Sequence, residues 1–179
     1  MSTLTGIRIK PLPRLSLIVI NFTIYQVNWL LMVLGQNTFL WLALLLIGFH
    51  LLLLPEPMRD SMLMVLVTCC GVILDGLLKG IGFFSFSADF WPIPLWLVVI
   101  WMSLGLLPNY SLGWLKGRWF LSATLGAIGG PLAYWAGVRL GVASFNWPLL
   151  QSLLLLAFLW ACFWPLVMFI ATKVTSRQI

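Results

Sequence analysis

Gly126-Ala-Ile-Gly-Gly-Pro131-Leu-Ala-Tyr134-Trp-Ala-Gly137-Val-Arg139-Leu-Gly141 is a run of small residues in an otherwise bulky, apolar chain. At helical spacing Gly126, Gly130, Ala133, Gly137 and Gly141 fall on one stripe, which leaves a groove where another backbone can approach closely. The groove predicts a helix-packing surface, carried chiefly by Gly126, Gly130 and Gly137 and expected to take the first or third span. Pro131 lacks an N–H and crowds the carbonyl of Ala127, so a kink or a freed acceptor is expected midway. Tyr134 and Arg139 hang from the second half.

The rest of the chain explains what such a helix is for. Of 179 residues, 62% are hydrophobic and 8% are charged. Soluble domains carry about 25% charged residues. The mean hydropathy of +1.07 points the same way. At about 20 residues per span, six spans and short loops use nearly the whole length and leave no soluble catalytic domain. The spans are expected at about 15–35, 39–54, 61–82, 92–113, 119–138 and 148–171. The reading is therefore an all-α, polytopic integral membrane protein: a single domain forming a six-helix transmembrane bundle.

Charge gives the orientation. In this arrangement Arg8, Lys10, Arg14, Arg59, Lys116, Arg118, Lys173 and Arg177 lie on the side of both termini, and only Lys79 and Arg139 lie opposite. That bias places the N and C termini in the cytoplasm. The formal net charge of +6 forms no basic stripe, so no nucleic-acid partner is expected. Trp41, Trp91, Trp114, Trp119 and Trp147 fall at span ends, as an interfacial belt requires. The first apolar run is too long and too polar, with Asn21, Gln26 and Asn28, for a cleaved signal segment.

Polar residues inside the spans are few. Asn21, Tyr25, Asn28 and Met32 share a face of the first span that must look into the bundle, because unpaired amides in hydrocarbon are costly. Thr68, Gly71, Asp75 and Lys79 share a face of the third, where Ser61 is the expected N-cap and Asp75 and Lys79 form an i,i+4 pair. A central Asp or Lys costs about 2.5–3.5 kcal/mol on insertion. With the orientation above, Asn28, Asp75, Lys79, Tyr134 and Arg139 all lie in the outer halves of spans one, three and five. They form the candidate ligand-binding cluster, to be weighed against a salt-bridge network that merely fastens helices. His50, the lone histidine, stays outside it. No metal site, cofactor or disulfide framework is expected: Cys69 and Cys70 are adjacent and point about 100° apart, and Cys162 stands alone. The Phe83 to Trp91 connection is expected to lie along the interface.

No H-E-x-x-H, G-x-S-x-G or P-loop is present, and no catalytic residue is assigned. Asn21-x3-Tyr25-Gln26-x2-Trp29, Asp75-Gly76-x-Leu78, Pro94-x-Trp96-Leu97 with Trp101, and Gly126-Ala-x2-Gly-Pro-x-Ala-Tyr134-x-Ala-Gly137 resemble a family of small bacterial inner-membrane proteins of unknown function, domain of unknown function 2878. The resemblance implies bacterial origin and a multi-pass inner-membrane location. Through the acyl-chain-modifying enzymes beside which members are often encoded, it also implies a lipid-linked role, with membrane lipids and lipid-modifying enzymes as partners. It carries over no catalytic residues. The expected function is lipid or amphiphile handling, binding such molecules or assisting acyl-lipid modification. A small-solute transporter and a scaffold for partner enzymes are the alternatives, and the inverted repeat that many transporters show is not visible.

Reporter fusions check the topology. A phosphatase fused within the Phe83 to Trp91 loop is expected to be active and one fused after Arg177 inactive; the reverse at either place contradicts the arrangement.

Overall fold

A computed structural model describes residues 13–87 and 90–175. Arg8, Lys10, Asp89 and Arg177, which enter the charge and loop readings, lie outside the described residues. In chain order the elements are α1 (Arg14–Gly35), a 3-10 turn (Gln36–Phe39), α2 (Leu40–Leu53), α3 (Pro57–Gly80), β1 (Phe84–Phe86), α4 (Leu95–Gly105), a second 3-10 turn (Gly113–Leu115), α5 (Trp119–Arg139), β2 (Ala143–Phe145) and α6 (Leu149–Thr175).

Three helical stretches, Arg14–Leu53 through α1 and α2, Pro57–Gly80 and Leu149–Val174, are long and apolar enough to cross a membrane. The exposed surface fits that solvent: Trp41, Leu45, Leu52, Ile73, Leu77 and Phe158 all face outward. The polar residues go inward, since only there can they find partners. Asn21, Asn28 and Met32 on α1 and Asp75 on α3 are each 0% exposed.

Two helix pairs are wedged together at glycines. On α3, a Cβ added at Gly71 would run into the Trp101 indole of α4; on α4, one added at Gly105 would lie 2.7 Å from the Met64 Cα of α3. On α5, a Cβ at Gly126 would lie 2.5 Å from the Trp160 carbonyl oxygen of α6 and 2.9 Å from the Trp164 Cβ, and one at Gly130 would run into the Trp160 ring. The small stripe of α5 therefore takes α6, its sequence neighbour, rather than the first or third span. The reason is the size of the partner: a tryptophan laid flat against a helix needs the glycine gap that Gly126 and Gly130 leave. Gly137, where a Cβ would meet Val142 Cγ2 at an ordinary 3.6 Å, takes no part in that wedge. α5 runs unbroken through Pro131.

The pairs meet through tryptophans. Trp101 of α4 and Trp160 of α6 stack with centroids 5.5 Å apart and planes within 8°. α1 closes the other side, packing on α4 and α2.

Further features differ from the sequence reading: the expected fourth span, 92–113, is helical only over Leu95–Gly105, and irregular chain with Pro108 follows. The connection expected to lie along the interface contributes β1, which pairs antiparallel with β2: Phe84 opposite Phe145, Ser85 opposite Ser144 and Phe86 opposite Ala143. Thus the fold is helical with a small two-stranded cap, its serines outward, Ser85 and Ser144 hydroxyls 2.9 Å apart, and Phe84 buried. α3 begins earlier than expected, with Pro57 in its first turn and Glu56 rather than Ser61 as N-cap. Proline suits that place, where no N–H partner exists, and the earlier start brings Asp60 inside the helix.

The glycine wedge is testable by thermal unfolding in detergent. Gly130→Leu must displace Trp160 and is expected to destabilise the protein by about 1–3 kcal/mol. Gly48→Leu, on a part of α2 where an added Cβ meets nothing within 4 Å, is expected to melt like the parent. Equal melting of the two variants contradicts the wedge.

Candidate functional site

Asp75 sits about a turn and a half from the end of α3, on the face that Gly71 opens toward α4. Its carboxyl accepts two hydrogen bonds from two other helices: Trp101 Nε1 of α4 donates to Oδ2 at 2.7 Å, and Tyr134 Oη of α5 donates to Oδ1 at 2.5 Å. Around this junction lie the Trp160 ring, edge-on to Tyr134 at 6.3 Å, and Phe84 of β1, stacked on Tyr134 at 6.0 Å. The carboxyl ends inside a box of aromatic rings, where such bonds are worth more than in water.

Of the five residues expected to converge, the structure brings Asp75 and Tyr134 together. Asn28 looks to α4 instead, donating from Nδ2 to Ser103 Oγ at 3.1 Å, while its Oδ1 is buried without a partner. Lys79 turns away from Asp75 and donates to the Phe90 carbonyl at 2.8 Å. One helical turn separates the two, and the ammonium lies at the helix end, outside the aromatic box. Arg139, last residue of α5, is exposed. Trp101, quoted among the family motifs but not among the candidate site residues, completes the junction through its N–H.

In front of the junction runs a cleft. Its first part, about 70 Å³, is walled by Tyr25, Trp29, Trp96, Trp101, Tyr134 and Trp160 among others and covered by Phe86, Val142 and Ala143 of the strand region. A second part, about 290 Å³, lies between α1 and α5 beside Phe22, Leu107, Leu115 and Gly129. The two share Tyr25, Leu104, Ala133 and Trp160, so they adjoin one another along the helices. Among the described lining residues none is charged. Asp75 does not line it: the carboxyl is behind Tyr134 and Trp101 and fixes their orientation.

A second polar assembly holds the opposite end. Asn21 of α1 donates to the Leu106 carbonyl at 2.9 Å, lies 3.3 Å from His50 Nε2, and accepts at Oδ1 from Ser111 Oγ at 2.5 Å. Asp60, 2% exposed, accepts from Asn109 Nδ2 at 2.7 Å and from Tyr110 Oη at 2.6 Å. Lys116 Nζ donates to Asn109 Oδ1 at 2.7 Å. Burial draws the Lys116 pKa below the ordinary lysine value, with the nearby Asp60 charge opposing that shift. This assembly pins the connection between α4 and α5 to α1, α2 and α3. Among the described residues, no three His, Cys, Asp or Glu side chains come together as a metal would need.

The match to known proteins follows this framework. The family described as a protein of unknown function (DUF2878) matches residues 18–166. The chain belongs to that family. The matched span holds both polar assemblies, from Asn21 through Asp60, Asp75, Trp101, Asn109 and Lys116 to Tyr134, and the whole wall of the cleft. No curated protein and no solved structure matches the chain.

Proposed function

We propose that this protein binds the apolar chain of a membrane amphiphile in the cleft between α1 and α5, within a six-span bundle of the bacterial inner membrane whose termini are cytoplasmic. The observation that carries the reading is the cleft itself. Its two parts, about 70 and 290 Å³, adjoin one another and are aromatic and uncharged. Hydrocarbon gains little by leaving lipid for a protein surface of the same polarity. A walled cleft with flat rings on several sides offers dispersion contacts and shape that bulk lipid does not.

The basic asymmetry of the sequence supports the orientation, and the three long apolar helical stretches support the membrane setting. A role beside lipid-modifying enzymes fits a protein that holds a chain. Lys79 and Arg139 do not line the cleft, so the reading rests on the chain and not on an anionic headgroup. No observation favours a transporter or a bare scaffold over it.

Mass spectrometry of the organic extract tests the proposal. Protein purified gently in detergent is expected to carry a defined amphiphile enriched over the bulk membrane lipid. Ala133→Phe, which fills the part common to both clefts, is expected to lose it while melting like the parent. An extract of the parent identical to bulk lipid contradicts the proposal.

A further inference from the structure

Asn21, Tyr25 and Asn28 are the polar side chains of the inward face of α1, spaced four and three residues apart. The two asparagines are fully buried and have partners: Asn21 donates to the Leu106 carbonyl and Asn28 to Ser103. Tyr25 stands between them on the same stripe and is half-buried. Among the described residues its hydroxyl makes no hydrogen bond. Surrounding hydrocarbon offers it none either, so the group is an open cost that a ligand oxygen removes. Four neighbouring donors are closed to such a ligand. Tyr134 and Trp101 donate to Asp75, and the Nε1 atoms of Trp96 and Trp160 are sealed in the protein.

Position defines what could meet the hydroxyl. Tyr25 borders both parts of the cleft, with Leu104, Ala133 and Trp160, so it stands where they adjoin. It is also the twelfth of the 22 residues of α1, about 15–16 Å from either helix end at about 1.5 Å per residue. Half of a hydrocarbon core is about 15 Å. With α1 as a span, the ring therefore lies near the bilayer midplane. An ordinary phospholipid places only methylenes and methyls at that depth, because its ester carbonyls stay beside the headgroup. Such a chain leaves the hydroxyl unpaired. A chain that carries its own oxygen at mid-length does not. A charged group would stand uncompensated, since none of the described lining residues is charged.

Resting on the reading that the cleft holds an apolar chain in a six-span bundle, we infer that the chain it selects carries an uncharged oxygen, a hydroxyl or a carbonyl, in the middle of its length, and that the Tyr25 hydroxyl receives it.

Competition on the full chain in nanodiscs tests this. Methyl dibromostearate is the reporter: bromine quenches tryptophan fluorescence at contact, Trp29, Trp101 and Trp160 line the cleft, and the quenching absent from Ala133→Phe belongs to it. Methyl stearate, its mid-chain hydroxy derivative and its α-hydroxy derivative are then added to displace the reporter. In the parent the mid-chain alcohol is expected to act at about one-tenth the concentration that methyl stearate needs, one hydrogen bond's worth, and the α-hydroxy ester to act like methyl stearate. Tyr25→Phe, which removes only the hydroxyl, is expected to bring all three to the same concentration. Equal displacement by the three in the parent, an α-hydroxy ester as effective as the mid-chain one, or a preference that survives Tyr25→Phe each overturns the inference. If the reporter quenches the parent no more than Ala133→Phe, the chain-binding reading itself falls, and this inference with it.

Discussion

A carboxyl group inside an apolar bundle must find its donors within the protein, and Asp75 finds them on two other helices. Insertion of an aspartate into a span costs about 2.5–3.5 kcal/mol. Hydrogen bonds to such a group return about 1.5–3 kcal/mol each. The Trp101 and Tyr134 bonds together therefore offset the insertion cost, and losing either leaves a deficit. That makes the junction of α3, α4 and α5 a requirement of the fold. The consequences spread outward: the Trp101 ring, held by its N–H, lies in the gap at Gly71 and presents its face to Trp160, which in turn fills the gap at Gly130. One acid thus sets the relative placement of four helices.

The far end of the bundle repeats the logic with different residues. Asp60 takes Asn109 and Tyr110, and Asn21 takes Ser111 and the Leu106 carbonyl, so the irregular 106–118 connection is tied down by side-chain bonds where no regular ladder exists. Pro108 limits the continuation of α4, and the polar residues that follow it find their partners on α1 and α3. Between these two polar clamps the helices are joined by apolar packing and by the bond from Asn28 of α1 to Ser103 of α4. That is where α1 and α5 stand apart and the cleft opens. A rigid frame at both ends with a gap in the middle is a reasonable way to keep a binding cleft in a protein without a hydrophobic driving force between helices.

Much of this was legible in the residues. The apolar composition fixed the solvent, and the spacing of Asn21, Asn28 and Met32 on α1 correctly turned that face inward, because amides in hydrocarbon have one direction to go. Asp75 and Tyr134 stood out for the same reason, being polar groups in mid-span. Their third partner did not, since an indole reads as bulk until a carboxyl is placed beside its N–H. Lys79 was placed with Asp75 on sequence spacing alone, yet a flexible ammonium near a helix end is free to choose a carbonyl outside the box. The Phe-Ser-Phe alternation at 84–86 is a period-two signal, but three residues are too few to tell a strand from a loop before its partner at 143–145 is known. Asp60 lies in a stretch full of prolines, and only the fold shows it as the anchor of a loop fifty residues away.

A double-mutant cycle in thermal or chemical unfolding measures the dependence of the bundle on Asp75 most directly. Asp75→Ala, Tyr134→Phe and the combined variant, compared with the parent in the same detergent, are expected to show a coupling energy of about 1–3 kcal/mol, because the second change has little left to remove once the first is made. Losses that add to within about 0.5 kcal/mol would contradict the account, for they would mean that the two side chains stabilise the protein independently and that the carboxyl does not hold α3 to α5.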